Sequence, residues 1–308
     1  GSNSTMLWLT GVTTGDDGNL YHAVISGLCS PQDTSDNVSL TVKERPEIVG
    51  QPEDTIVCEG VPALFGVDAG VTTNAGYQWQ VNMNDGDGFQ DIGTDSLGIY
   101  LGSSQAVLQV LMPESRFDGY RYRVIVSGDC NPAITSATAT LTVHELPEIT
   151  VQPVEKTICE EQNTFFSVSS GVTTNPVYQW QVDMGSGFTD IGADTGVYSG
   201  TGTSNLFLTA VPSTIDGYLY HVVVSGACDP EVTSNNVLLT VYENPEITDQ
   251  PVNDTVCEGD FATFEVNAGV TTDAEYLWQV NRIGLWEDLD DSSGSYTGSD
   301  TEILTVNN

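Results

Sequence analysis

The chain has 308 residues, room for two to three domains of ordinary size that each bury a core. Seven Lys and Arg stand against 43 Asp and Glu, a formal net charge of −36 spread along the whole length. Such a surface excludes nucleic acid as a partner and argues against anionic membranes, since both need a basic patch, and it keeps a crowded surface protein soluble and self-repelling.

Read in chain order, the sequence is a repeat. Residues 1–45 carry a short strand (GSNSTMLWLT), the run DGNLYHAVISGLC (17–29) and a closing strand ending at Val42. Residues 46–145 open on PEIVGQPEDTIVCEG, continue through Ala63, Phe65 and Val67, then GVTTNAGYQWQV (70–81), and return to DGYRYRVIVSGDC (118–130) before Leu141 and Val143. Residues 146–243 repeat the order with PEITVQPVEKTICEE, GVTTNPVYQWQV and DGYLYHVVVSGAC (216–228). Residues 244–308 hold only the first part, PEITDQPVNDTVCEG and GVTTDAEYLWQV, and finish on GSDTEILTVNN, the strand with which the chain begins. Aligned glycines at 1, 102, 200 and 298 set a period of about 100 residues.

The expected organisation is therefore the back part of one domain (1–45), two complete domains (46–145 and 146–243) and the front part of a fourth (244–308). Half a sandwich leaves open sheet edges and half a core, so the two ends need completing by flanking sequence or by neighbouring chains. Within a repeat, apolar residues alternate with polar ones and turns rich in Gly, Pro, Asn and Asp break the runs, which predicts about seven short strands and no helix. The fold class is all-β, as tandem sandwiches in a linear array.

The residues resemble the immunoglobulin-like family in its intermediate-type form. Tyr-Gln-Trp-Gln places a tryptophan on strand C at Trp79 and Trp180, with Trp278 in the third copy. The Asp-Gly-x-x-Tyr run, ending at Tyr21, Tyr122 and Tyr220, is similar to the tyrosine corner before strand F. One departure is plain: Val67 and Val124 stand where the family's inter-sheet cysteines belong. More narrowly, the motif set resembles repeats of giant cell-surface adhesins of Bacteroidota, including gliding-motility adhesins exported by the type IX secretion system. That resemblance implies a protein of the bacterial cell surface, with no cofactor and no enzymatic activity.

Six cysteines in a Thr-, Ser- and Gly-rich chain fit neither a zinc site nor a redox pair and point to an oxidising compartment. One per repeat precedes strand B (Cys58, Cys159, Cys257) and one lies in the F–G hairpin (Cys29, Cys130, Cys228). In this topology the two lie at opposite ends of a domain: from Tyr122 to Cys130 alone a strand climbs roughly 26 Å at about 3.3 Å per residue, whereas a disulfide tolerates about 7 Å between Cα atoms. Pairing Cys29 with Cys58, or Cys130 with Cys159, meets a similar objection. The expectation is a bridge from Cys58 to Cys228 across a domain junction, with an intradomain bridge and free thiols as the alternatives. Pro in the short junctions HELPEI (144–149) and YENPEI (242–247) adds stiffness by restricting the residue before it.

No catalytic constellation is visible: the three histidines are His144 in a linker and His22 and His221 at one strand position, read as solvent-facing. Asn84, Asp85 and Asp87 make a weak calcium-like loop that the next repeat lacks, so no metal is expected. Phe89, Phe188 and Trp286 recur after this loop and read as sandwich anchors rather than a sugar platform. Thr55, Ser96 and Thr255 sit in Asp-Ser/Thr-aliphatic triplets that are similar to the O-glycosylation signal of Bacteroidota.

The function expected from all this is a structural stretch of an extracellular filament or adhesin stalk, its partners being other repeats of the same long chain. The alternative is that the sandwiches themselves bind surface glycans or cell-surface proteins.

Overall fold

Alternating apolar residues give each strand one buried face, and the turns between them decide which strands pair. In a computed structural model of the chain, residues 4–93, 98–194 and 196–307 are described, and the chain divides into two units, Gly1–Leu146 and Pro147–Asn308. All extended structure is β, and the helical pieces among the described residues are four single 3-10 turns.

In the first unit the larger sheet runs Thr55–Cys58, Ala139–His144, Arg121–Ser127, Gly76–Asn82 and Gln90–Asp91, with Ile134–Thr135 added to Arg121–Ser127. Its first pair is parallel, aligning Cys58 with His144, and the others are antiparallel. The facing sheet is Ala63–Gly66, Val107–Val110 and Tyr100–Leu101. The second unit repeats both sheets, from Lys156–Cys159 to Val237–Tyr242. Each complete repeat thus carries nine described strands rather than about seven, the extra ones being two- and three-residue segments.

Trp79 and Trp180 lie at the centre of each sandwich with no solvent exposure. Trp79 is in register with Val124 and Trp180 with Val222 on the adjacent strand. A buried indole needs a partner for its N–H. Trp79 Nε1 donates to the Gln105 carbonyl and Trp180 Nε1 to that of Thr203, both at 2.9 Å. Val124 and Val222 are fully buried, so the sheets are joined mainly by packing, at roughly 1.5–3 kcal/mol for each buried aliphatic or aromatic side chain.

Tyr122 and Tyr220 are also fully buried and stack on Phe65 and Phe166, with ring centroids 4.6 and 5.0 Å apart. Their hydroxyls meet those of Tyr100 and Tyr198 at 3.5 and 2.9 Å, so these tyrosines close a side-chain pair across the two sheets. Tyr21, the third member of the set, is half-buried in the short pairing of Leu20–Tyr21 with Val38–Ser39.

Residues 245–307 form two small separate sheets, Ala262–Glu265 with Ile303–Val306 and Tyr296–Thr297, and Gln279–Asn281 with Trp286–Asp288. Trp278 keeps the local geometry, its Nε1 donating to the Thr301 carbonyl at 2.9 Å, but it is only half-buried.

Two measurements follow. Trp79→Ala should cost about 3–5 kcal/mol in chemical denaturation of the first unit, and Trp278→Ala clearly less, because its indole is partly in water already. Burial raises the phenol pKa of Tyr122 and Tyr220 far above the ordinary 10.0. A raised folded-state value means stability that is present below pH 10 and lost as the pH rises beyond it. In a spectrophotometric titration these phenols should therefore ionise only together with unfolding, and a simple non-cooperative titration near pH 10 would contradict their burial.

Candidate functional site

The three most repeated motifs, Pro-Glu-Ile, Gly-Val-Thr-Thr and Ser-Gly-x-Cys, converge on the linker that enters each repeat. A linker that leaves one sandwich and enters the next has backbone N–H groups that no strand partner satisfies, and they must find acceptors. In the first unit the Glu44 N–H donates to Thr73 Oγ1 at 2.8 Å and the Glu47 N–H to Thr72 Oγ1 at 3.0 Å. Thr72 Oγ1 in turn donates to the Ala69 carbonyl at 2.6 Å, which fixes the hydroxyl as an acceptor for the linker. The second unit repeats this where residues 243–247 enter the last repeat: Glu243 N–H to Thr272 Oγ1 at 2.9 Å and Glu246 N–H to Thr271 Oγ1 at 3.0 Å. Glu148 N–H makes the same bond to Thr173 Oγ1 at 3.1 Å.

The glutamate of Pro-Glu-Ile reciprocates. Glu47 Oε1 accepts from the Val71 N–H at 3.1 Å, over Gly70, whose φ of +51° and lack of a Cβ admit the carboxylate. The glycine of Ser-Gly-x-Cys closes the third side. A Cβ on Gly128 would lie 2.9 Å from Thr72 Cγ2, 3.0 Å from the Thr73 carbonyl and 3.5 Å from Pro46 Cγ. On Gly226 it would meet Thr173 Cγ2 and the Thr174 carbonyl at 2.9 Å and Pro147 Cγ at 3.5 Å.

One linker adds charge. Lys43 Nζ sits 2.6 Å from Asp129 Oδ2, which also accepts from Asn74 at 2.9 Å, and Arg45 donates to the Asn131 carbonyl at 2.6 Å. The hydrogen bond from Lys43 holds the Asp129 carboxyl below its ordinary value, and the bond to Asp129 raises the Lys43 ammonium. Both groups are in solvent, so the pair orients more than it stabilises.

Cys58 ends the strand that runs beside His144, at the outgoing end of its repeat. Cys130 lies at the incoming end, where its thiol donates to the Lys43 carbonyl at 3.5 Å. Cys58 and Cys228 are disulfide-bonded, and Cys228 is 4% exposed. Cys29, Cys130, Cys159 and Cys257 carry free thiols.

Two sequence expectations need correcting. His221 does not face solvent: it is 9% exposed, stacked on Phe188 with centroids 3.8 Å apart, and bonded to Gln181 Oε1 at 2.6 Å and Asn236 Oδ1 at 2.9 Å. The matching Arg123 guanidinium lies 4.0 Å above the Phe89 ring. Phe89 and Phe188 are accordingly lids over this strand position on the outer face of the larger sheet, half-buried, rather than anchors of the core. Trp286, their counterpart, is 67% exposed, and His22 lies in the exposed class too.

Of the glycosylation candidates, Thr55 is half-buried in a strand and its hydroxyl reaches the Glu53 and Leu64 carbonyls at 3.3 Å, Thr255 is exposed, and Ser96 lies outside the described residues. Among the described residues no group of three or more His, Cys, Asp or Glu is placed to hold a metal ion, and no helix is long and apolar enough to cross a membrane. Sequence reasoning missed Thr72, Thr73, Glu47 and their counterparts, although their recurrence in every copy was the available signal.

No protein-family profile matches the chain, and no curated protein matches it. Among solved structures it is similar to the I-band fragment I67–I69 of titin, with a TM-score of 0.61 and 16% identity over 87% of this chain and 89% of that one. An E-to-A variant of the same three immunoglobulin domains gives 0.61 and 15% over 86% and 88%. The likeness shows the fold: tandem immunoglobulin-like β-sandwich domains.

The linker grip is testable. Thr72→Val should leave the Glu47 N–H without its acceptor and cost about 1–3 kcal/mol, visible as faster hydrogen exchange at Glu47. Gly128→Ala should loosen the same linker through the clash with Thr72, whereas Gly27→Ala, with nothing within 4 Å, should be silent.

Proposed function

We propose that this chain is a stretch of extracellular stalk, whose work is to space and present a binding region at a distance from a bacterial surface, in an adhesin or a motility filament. The observation that carries the reading is the convergence of the repeated motifs on the linkers. Selection for a ligand site would repeat loop side chains that point into solvent. Here Thr-Thr, Pro-Glu and Ser-Gly recur where one repeat is gripped by the next.

A linker of a few residues would otherwise be a hinge, since short Gly- and Ser-rich connections behave as flexible coil. Hydrogen bonds from the linker N–H groups to both threonines, with Pro at the start of the next strand, remove that freedom. The surface charge of −36 suits a long exposed chain that must not stick to its neighbours. Cell-surface glycans and proteins belong, in this reading, to other parts of the parent molecule.

The two oxidised cysteines fit the same role. We take Cys58 and Cys228 to be each other's partners, a covalent tie from one complete repeat to the next that supplements the linker. Non-reducing peptide mapping of the protein should yield the Cys58 peptide joined to the Cys228 peptide. Cys58 joined to Cys130, or six free thiols, would remove the tie and leave a flexible tether in place of a stiff stalk.

A further inference from the structure

A parallel strand pair lies across the path of any tension along the chain. In the first unit, residues 46–58 are fastened to their sandwich at intervals. The Val49 N–H donates to the Asp68 carbonyl at 2.9 Å, and Gln51 Oε1 and Asp54 Oδ1 accept from the Ala137 and Thr140 N–H groups at 2.7 Å. Thr55–Cys58 then pairs in parallel with Leu141–His144. Tension that enters at residue 46 and leaves at residue 145 pulls these two strands in opposite directions, so their hydrogen bonds are loaded together in shear. The second unit has the same pair, Lys156–Cys159 with Leu239–Tyr242.

The cysteines offer a way around both pairs. Cys58 is the last residue of its strand, in register with His144 where the chain leaves the repeat. Cys228 stands where a repeat begins: the Ala227 N–H donates to the Thr174 carbonyl at 2.9 Å, and a Cβ on Gly226 would lie 3.5 Å from Pro147 Cγ. One cysteine is thus placed at each end of the linker that joins His144 to Pro147, and both are oxidised.

We propose, on the pairing of these two cysteines put forward above, that the Cys58–Cys228 bridge is the load-bearing connection between the complete repeats, carrying tension past the linker and past both parallel strand pairs. Tension then runs along residues 46–58, crosses the S–S bond and continues along residues 228–243. The strands on this path, Thr55–Cys58 and Val237–Tyr242, are already extended, so they yield little length. Val237–Tyr242 is held on both edges, by Lys156–Cys159 and by Leu219–Ser225, so the second sandwich travels with its loaded strand.

Residues 59–227, which hold most of both cores, lie off the covalent path. Their exclusion removes roughly 550–600 Å from the length that the chain can reach under load, at about 3.3–3.6 Å per residue. A stalk tied in this way transmits a pull without lengthening and keeps Trp79 and Trp180 buried while it does so.

Force spectroscopy on the 308-residue chain, held by peptide tags at its two termini and without reductant, tests the load path. Cys58→Ser changes a half-buried strand end and leaves both cores in place. The Cys58→Ser chain should lose the two complete repeats in two steps and reach a full length roughly 550–600 Å greater than that of the wild type. The wild type should show neither step at the same force, and adding a phosphine reductant should give it both. Peptide mapping of the same oxidised sample separates two ways of failing. If the Cys58–Cys228 peptide is missing and the two chains reach equal lengths, the pairing is wrong and the load path falls with it. If that peptide is present but the repeats of the Cys58→Ser chain hold until the tags detach, the linker and parallel strands bear the load unaided, and the load path is overturned while the pairing stands.

Discussion

Between the two sheets of each complete repeat lies one indole whose N–H is satisfied by a backbone carbonyl, and valine stands where a cross-sheet disulfide would otherwise join the layers. Everything else in the repeat is arranged around keeping that indole dry. The strand that carries it must be covered on both edges, the facing sheet must supply Phe65 or Phe166, and the buried phenol of Tyr122 or Tyr220 must find a hydroxyl partner in Tyr100 or Tyr198. Because packing supplies the cohesion, the sandwich depends on having all its strands, and a partial set exposes what a full set hides.

That dependence moves the cysteines to another task. With the layers held by dispersion and burial, the two cysteines of a repeat sit at its two ends, Cys58 beside the outgoing His144 and Cys130 beside the incoming Lys43. The same ends carry the threonine hydroxyls that accept the linker N–H groups. The polar contacts of the linkers lie where repeats meet, while the outer face of the larger sheet carries the Arg123–Phe89 and His221–Phe188 stacks. Each linker bond is worth little by itself, on the order of 1 kcal/mol, but several on one short segment fix its path.

The repeat, the all-β fold and the tryptophans and tyrosines of the core were legible in the sequence by itself, because they depend on period-2 patterning and self-similarity, which are local or additive. The opposed placement of Cys58 and Cys130 was also legible, since strand rise and turn order are enough to separate them. What only the tertiary structure decided was which repeated polar residues touch. Pro-Glu-Ile and Gly-Val-Thr-Thr are separated by some 20 residues, and nothing in either motif says that a glutamate N–H will meet a threonine hydroxyl. His221 and Phe188 were misplaced for the same reason: alternation says which face a residue takes, but whether that face is open to water depends on a side chain from a strand that is distant in sequence.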